Sequence, residues 1–140
     1  MTIINSYLTF NGNCREAMSF YQECLGGELF FQPVSESPLA GKMPPQMKES
    51  ILHSTLTKGD LVLMGSDMVG EFGLLKGNAV SLLLNCSSEK EVREYYSKLS
   101  EGGQATHPPE ISFWGALFGD LTDRFGNHWL LHFDEKNGKK

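Results

Sequence analysis

Four histidines supply this chain's main options for acid–base or metal chemistry near neutral pH. His128 and His132 lie in the run HWLLHF. Strand alternation puts them on one face with Leu130, toward a cavity, while Trp129, Leu131 and Phe133 face the opposite side. In ILHSTLTK, His53 shares a face with Ile51, Thr55 and Thr57. Two histidines with a carboxylate such as Glu110 have the donor types for a divalent ion. A single histidine can instead act as a general acid or base, and His53 and His132 are the candidates for that work. The plainer role is a structural hydrogen bond or a place on a rim. His128, beside a turn, and His107, before Pro108-Pro109, fit that plainer role best.

Other chemistries have little support. Ser54, Ser66 and Ser112 lie in no G-x-S-x-G elbow, and the glycines Gly12, Gly26-Gly27 and Gly102-Gly103 form no phosphate loop. Cys14 opens a helix, where the dipole can lower a thiol pKa, although a small residue in the first turn explains it equally. Phe10, Phe113, Trp114 and Phe118, with Leu8, Leu63, Leu83 and Leu130, could line an apolar cavity. As neighbours on a strand, Phe113 and Trp114 must point to opposite faces, so one of them faces that cavity. Phe20, Tyr21, Tyr95 and Tyr96 are expected in the core.

The elements that position these residues occur twice. Asn13, Glu16, Ala17, Phe20, Tyr21 and Cys24 recur as Ser88, Glu91, Val92, Tyr95, Tyr96 and Leu99, at an offset of 75. KGDLVLMGSD, from Lys58, recurs as FGNHWLLHFD, from Phe125, at an offset of 67. Asn13 with Glu16, and Ser88 with Glu91, have capping-box spacing, and the helices they open stop at paired glycines. Short strands precede each helix, at Tyr7 to Phe10 and Val80 to Asn85. Further strands follow at Glu28 to Gln32, Ile51 to Lys58 and Leu61 to Ser66, then at Ala105 to His107, Phe113 to Leu121 and His128 to Phe133. The fold class is therefore α+β. Two tandem β-α-β-β-β modules, about 3–67 and 79–135, flank a linker at 68–78 and build a curved sheet or partial barrel with helices outside. A duplicated fold of this kind tends to hold its ligand between the halves. Ser35 to Met47, with three prolines, reads as a surface connection or a cover for a site.

A net charge of -5 with interspersed signs argues against a nucleic-acid footprint, and no apolar stretch is long enough to span a bilayer. MTIINSYLTF lacks the charge pattern of a signal peptide. Three cysteines without C-x-x-C spacing fit reduced thiols, so a cytoplasmic location is expected.

SYLTFNGNCREAMSFYQECLGGEL, ILHSTLTKGDLVLMGSD and FWGALFGDLTDRFGNHWLL together resemble the vicinal oxygen chelate superfamily, which includes glyoxalase I, extradiol dioxygenases and the bleomycin resistance proteins. Within it they are most similar to the PhnB-like branch, whose domain carries a demethylubiquinone methyltransferase label. The resemblance implies a glyoxalase/bleomycin resistance-like fold and a homodimer. In the superfamily's metalloenzymes, the first and last strands of each module supply ligands to one divalent ion. Counted back from Phe20-Tyr21, the first-strand position falls at or beside Ser6, and four residues after the turn glycine the last-strand position falls at Leu130; the offsets carry these to Ser81 and Leu63. That set lacks the imidazoles and carboxylates a divalent ion requires. The expectation is therefore a protein without the usual metal and without a cofactor, binding a small hydrophobic or aromatic molecule in the trough between modules. Ser6, Leu8, Phe10, Leu63, Ser81, Leu83, Phe113, Trp114 and Leu130 are its candidate contacts. The alternative is an enzyme of lyase, isomerase or dioxygenase type that uses His53 and His132 or a relocated metal. Nothing in the sequence resembles a glycine-rich turn for S-adenosylmethionine, so methyl transfer is not expected.

Overall fold

In the computed structural model, which describes residues 1–70 and 73–135, the chain forms two compact units, Met1–Leu75 and Lys76–Lys140. The first contains β1 (Ser6–Thr9), α1 (Cys14–Leu25), β2 (Glu28–Pro33), β3 (Ile51–Lys58) and β4 (Leu61–Ser66). The second contains β5 (Leu82–Asn85), α2 (Glu89–Ser100), β6 (Gln104–Ile111), β7 (Leu117–Thr122) and β8 (His128–Phe133). Each unit is an open four-stranded sheet with one α-helix of 12 residues packed on it, in strand order β1-β4-β3-β2 and β5-β8-β7-β6. The first and last strands of each unit pair in parallel at one edge, and the other pairs are antiparallel.

The helices form where apolar spacing gives each one buried stripe. Ala17, Met18, Tyr21, Cys24 and Leu25 pack α1 onto its sheet, as Val92, Tyr96 and Leu99 do for α2. Opposite them lie Leu56 and Leu63 in the first unit and Leu121, Trp129 and Leu131 in the second, all buried. A basic side chain meets each helix C-terminus: Lys58 Nζ donates to Leu25 O at 2.8 Å and Arg124 Nε to Glu101 O at 3.1 Å. Gly27 and Gly103 follow the helices at matching places. A β-carbon on either would collide with a main-chain carbonyl, that of Thr57 or Thr122.

The helix N-termini differ. Ser88 caps α2 by accepting from Glu91 N at 3.1 Å, while Glu91 reaches back to Ser87 N at 2.9 Å. Asn13 makes no such bond. Its place is taken by Asp67, just beyond β4, whose Oδ1 accepts from Gly12 N and Cys14 N, both at 2.9 Å, and whose Oδ2 accepts from Ile51 N at 2.8 Å. A distant carboxylate thus replaces the expected local capping box.

The register of the parallel pairs corrects the repeat offsets. Ser6 pairs with Leu63 in the first unit and Leu82 with Trp129 in the second, so matching strand positions are 76 apart (Ser6 to Leu82) and 66 apart (Leu63 to Trp129). Only the helices keep 75, from Cys14 to Glu89. The differences arise in the connections. Four residues separate β1 from α1 and three separate β5 from α2. The turn before β4 has two residues between paired Lys58 and Leu61. The corresponding turn before β8 has three between Asp123 and Asn127, whose main chains are bonded. Aligning Gly59 with Gly126 therefore slips the strand by one residue, and a one-residue slip reverses every side chain.

Asp67→Ala leaves three main-chain donors without their carboxylate. We expect it to lower the unfolding free energy by about 3 kcal/mol, read from urea denaturation. Asn13→Ala, which removes no cap bond, should change it by less than about 0.5 kcal/mol.

Candidate functional site

Each sheet has one face under its helix and one face that the helix leaves open. Gly65 marks the helix side of the first sheet, because a β-carbon there would meet Phe10, Met18 and Cys14. Its partners Leu8 and Ser54 share that side, as do Ser6, Leu56 and Leu63. The open face carries the alternate residues. One row across it reads Phe30, Thr55, Met64 and Tyr7, and the next reads Gln32, His53, Ser66 and Thr9. In the second sheet, buried Trp129 and Leu131 mark the helix side. The open rows there are His107, Asp120, Leu130 and Leu83, and beside them Glu110, Phe118, His132 and Asn85.

Several expected contacts therefore change place. Ser6, Leu8 and Leu63 lie on the helix side, and Leu63 is buried there. Phe10 is buried in the same core. Ser81 precedes β5 and is exposed. Leu83 and Leu130 are on the open face as expected, paired with each other, and Leu83 is 52% exposed. Tyr7, 53% exposed, and Met64 are their counterparts in the first unit, and the slip in the 67-residue offset is what put Leu63 in place of Met64.

Phe113 and Trp114 also depart from expectation, because they are not strand neighbours. They occupy a turn between β6 and β7, closed by Ser112 N to Ala116 O at 2.8 Å and by Gly115 at φ 90°. A turn imposes no alternation. Trp114 and Phe118 meet edge-on at 5.6 Å between centroids, and Phe113, 98% exposed, meets Trp114 edge-on at 4.9 Å. Phe118 in turn meets His132 at 6.5 Å. An aromatic string thus runs from the turn onto the open face of the second sheet.

The histidines are all engaged. His53 Nε2 lies 3.0 Å from Thr55 Oγ1, with its ring stacked on Tyr7 at 6.0 Å. His128 Nδ1 lies 2.9 Å from Thr122 Oγ1. His107 Nδ1 lies 3.1 and 3.0 Å from the two oxygens of Asp120, a pairing the sequence reading missed. The only signal for it was Asp120 at the head of the DLTDRFGNHWLL run.

The fold's metalloenzymes imply a divalent ion held by the first and last strands. Taken from Leu130 through the observed strand pairing, the matching open-face positions are Leu83, Met64 and Tyr7. Two leucines, a thioether and a phenol do not fit a hard or borderline cation. Among the described residues, no three His, Cys, Asp or Glu side chains gather as a ligand group. The His–His–Glu110 alternative is thus not assembled.

Cys14 is fully buried. Burial, with a smaller push from the Asp67 carboxylate, raises its thiol to about 11 against the pull of its Ser54 hydrogen bond. Burial, then Glu91, raises Cys86 to about 12.

With this geometry established, the comparisons with known proteins assign the family. Residues 2–132 match the sequence profile of the 3-demethylubiquinone-9 3-methyltransferase family. The chain belongs to this PhnB-like family. Protein PA1353 from Pseudomonas aeruginosa is 39% identical with a TM-score of 0.82, over 96% of this chain and 98% of that one. A PhnB protein from Bacillus cereus is 25% identical with a TM-score of 0.75, over 95% of this chain and 100% of that one. A member of the glyoxalase/bleomycin resistance protein/dioxygenase superfamily from Sphaerobacter thermophilus, 22% identical, shares the fold with a TM-score of 0.60 over 96% and 99%. The α+β class and the superfamily fold expected from the sequence are thereby established. No helix among the described residues is long and apolar enough to cross a membrane.

The raised thiols carry a pH signature. An unfolded thiol ionises near 9, so from there up to about 11 or 12 the unfolded state releases protons that folded Cys14 and Cys86 retain. Their contribution to stability is complete below pH 9 and declines above it. The native protein at pH 8 should accordingly modify Cys14 and Cys86 with a thiol reagent at least tenfold more slowly than the urea-unfolded chain, followed by mass spectrometry.

Proposed function

We propose that this PhnB-like protein binds a small hydrophobic or aromatic molecule against the open sheet faces, without a metal ion. The observation that carries this reading is the identity of four paired side chains. Tyr7 with Met64, and Leu83 with Leu130, are the paired first- and last-strand side chains on the open faces of the two units. Apolar groups there give no coordination, but they release water when covered, which favours a ligand of matching character by about 25 cal/mol per Å² of apolar area removed from water. In the second unit, Phe118 and the half-exposed Trp114 extend the surface of Leu83 and Leu130 with ring edges suited to a planar ligand. His53, Thr55, His128 and Thr122 add polar groups at fixed spacing, which serve orientation rather than affinity. The nearest alternative, catalysis by His53 or His132, has weaker support. His53 has Nε2 engaged by Thr55, and His132 has an aromatic rather than a carboxylate neighbour among its recorded contacts.

The reading also takes the protein as a homodimer, as the superfamily resemblance implies, in the cytoplasm, in keeping with its three free cysteines. Light scattering should give about twice the 15.6 kDa chain mass. A monomeric mass would remove that part of the reading alone.

A panel of small aromatic and aliphatic compounds, followed by thermal melting, tests the main claim. A true ligand at a hundredfold excess over Kd should stabilise the fold by about 2.7 kcal/mol. Leu130→Asp, which puts a charge on the face without touching the helix-side core, should weaken that ligand at least tenfold. A panel without any shift, or a ligand indifferent to Leu130→Asp, would defeat the proposal.

A further inference from the structure

We propose that His107 and Asp120 form a general-base pair that removes a proton from a small, mainly apolar carbon acid lying across Leu130 and Leu83. The proposal rests on the open-face ligand site above and adds a reaction to it. Three observations support it.

The first is orientation. Both carboxylate oxygens of Asp120 lie within hydrogen-bond distance of His107 Nδ1, at 3.1 and 3.0 Å. A carboxylate there favours the tautomer with a proton on Nδ1, which leaves the lone pair on Nε2, and it stabilises the imidazolium that forms when Nε2 takes a second proton. His107 is exposed, so Nε2 is accessible to a molecule on the face.

The second is anchoring. On the helix side of the same sheet, the buried Tyr96 of α2 donates its hydroxyl to Asp120 O at 2.8 Å and so fixes the main chain of the carboxylate partner. The β6–β7 ladder is irregular on either side of the pair, between Gln104 and His107 and between His107 and Glu110, yet His107 and Asp120 stay opposite each other. Irregular pairing of this kind commonly re-aims a side chain at a functional site.

The third is asymmetry between the copies. The row His107, Asp120, Leu130, Leu83 corresponds to Phe30, Thr55, Met64, Tyr7 in the first unit. The two apolar strand positions remain apolar or aromatic in both. The other two become a histidine and a carboxylate in the second unit only. A duplicated scaffold that diverges by acquiring a hydrogen-bonded His–Asp pair beside an unchanged apolar half has gained chemistry next to a binding surface.

The step balances without a co-reactant. Nε2 takes a proton from a carbon next to a carbonyl, the C–H electron pair moves to the carbonyl oxygen as an enolate, and the positive charge rests on the imidazolium facing Asp120. Returning a proton from Nε2 to carbon restores the ketone and the neutral ring. A ketone or thioester with an apolar body is the substrate class this describes.

The experiment follows hydrogen exchange of phenylacetone in D₂O by proton NMR, at fixed pD, with Trp fluorescence recorded on the same samples. The wild-type protein should exchange the benzylic protons faster than free imidazole at equal concentration. His107→Gln, on an exposed side chain, should melt with the wild type and lose at least tenfold of that excess. Asp120→Asn should fall between the two, because it keeps the shape and removes the charge. Exchange no faster than free imidazole, or exchange unchanged in His107→Gln, overturns the pair. A fluorescence change on adding phenylacetone then separates a bound ligand without proton transfer from a face that binds nothing.

Discussion

A buried carboxylate, that of Asp67, holds the first unit's edge together. Three main-chain N–H groups converge on it, from the loop after β1, from the first turn of α1 and from the start of β3. Each of those segments is distant in sequence from Asp67, and each would otherwise bury a donor without a partner. Main-chain bonds reinforce the junction: Phe10 N donates to Ser66 O at 2.8 Å and Asp67 N to Ile51 O at 2.8 Å. The parallel register of β1 on β4 follows from this fixed point. Which side chains face the helix and which face the open side follows from that register.

The second unit reaches the same register by other means. Ser88 caps α2 locally, so no distant carboxylate is needed at the helix N-terminus. Its buried acid, Asp123, instead organises the longer turn before β8. Oδ1 accepts from Phe125 N at 2.8 Å and Asn127 N at 3.0 Å, and Oδ2 accepts from Trp129 Nε1 at 2.8 Å. That last bond satisfies the polar atom of the largest buried side chain in the unit, which lets an indole occupy the position held by Leu63 in the first. Two copies of one topology therefore use their buried acids at different corners. Among the described residues, no buried side-chain nitrogen or oxygen lacks a hydrogen-bond partner.

The open faces depend on this arrangement because they contribute little to it. Burial is concentrated on the helix side, where Leu56, Leu131, Trp129 and Tyr21 are essentially inaccessible. Tyr7, Phe30, Leu83 and Trp114 remain about half exposed, so their identities are constrained less by packing than by what covers them. That freedom is where the copies differ most, with Phe30 and Thr55 in one and His107 and Asp120 in the other.

Much of the architecture was legible in the sequence, because period-two alternation, helical spacing and glycine punctuation are local signals. The limits of β3, β4 and β8 fall where the residue pattern put them, and the split of His128, Leu130 and His132 from Trp129, Leu131 and Phe133 between the two faces follows from alternation alone. The family and its fold were legible as well, from motifs spread over nearly the whole chain. The site was less so. Leu63 and Ser81 were placed by carrying one repeat onto the other across connections of unequal length, and only inter-strand hydrogen bonds reveal a one-residue slip. Phe113 and Trp114 sit in a turn that alternation cannot describe. Asp67 at the helix N-terminus, and Asp120 on His107, are pairings between residues far apart in the chain. Sequence by itself determined the elements and their duplication, since each depends on neighbours within a few residues. The tertiary structure alone decided which side chains share the open face, because that depends on strand register, and register is set by bonds between segments the sequence does not place together.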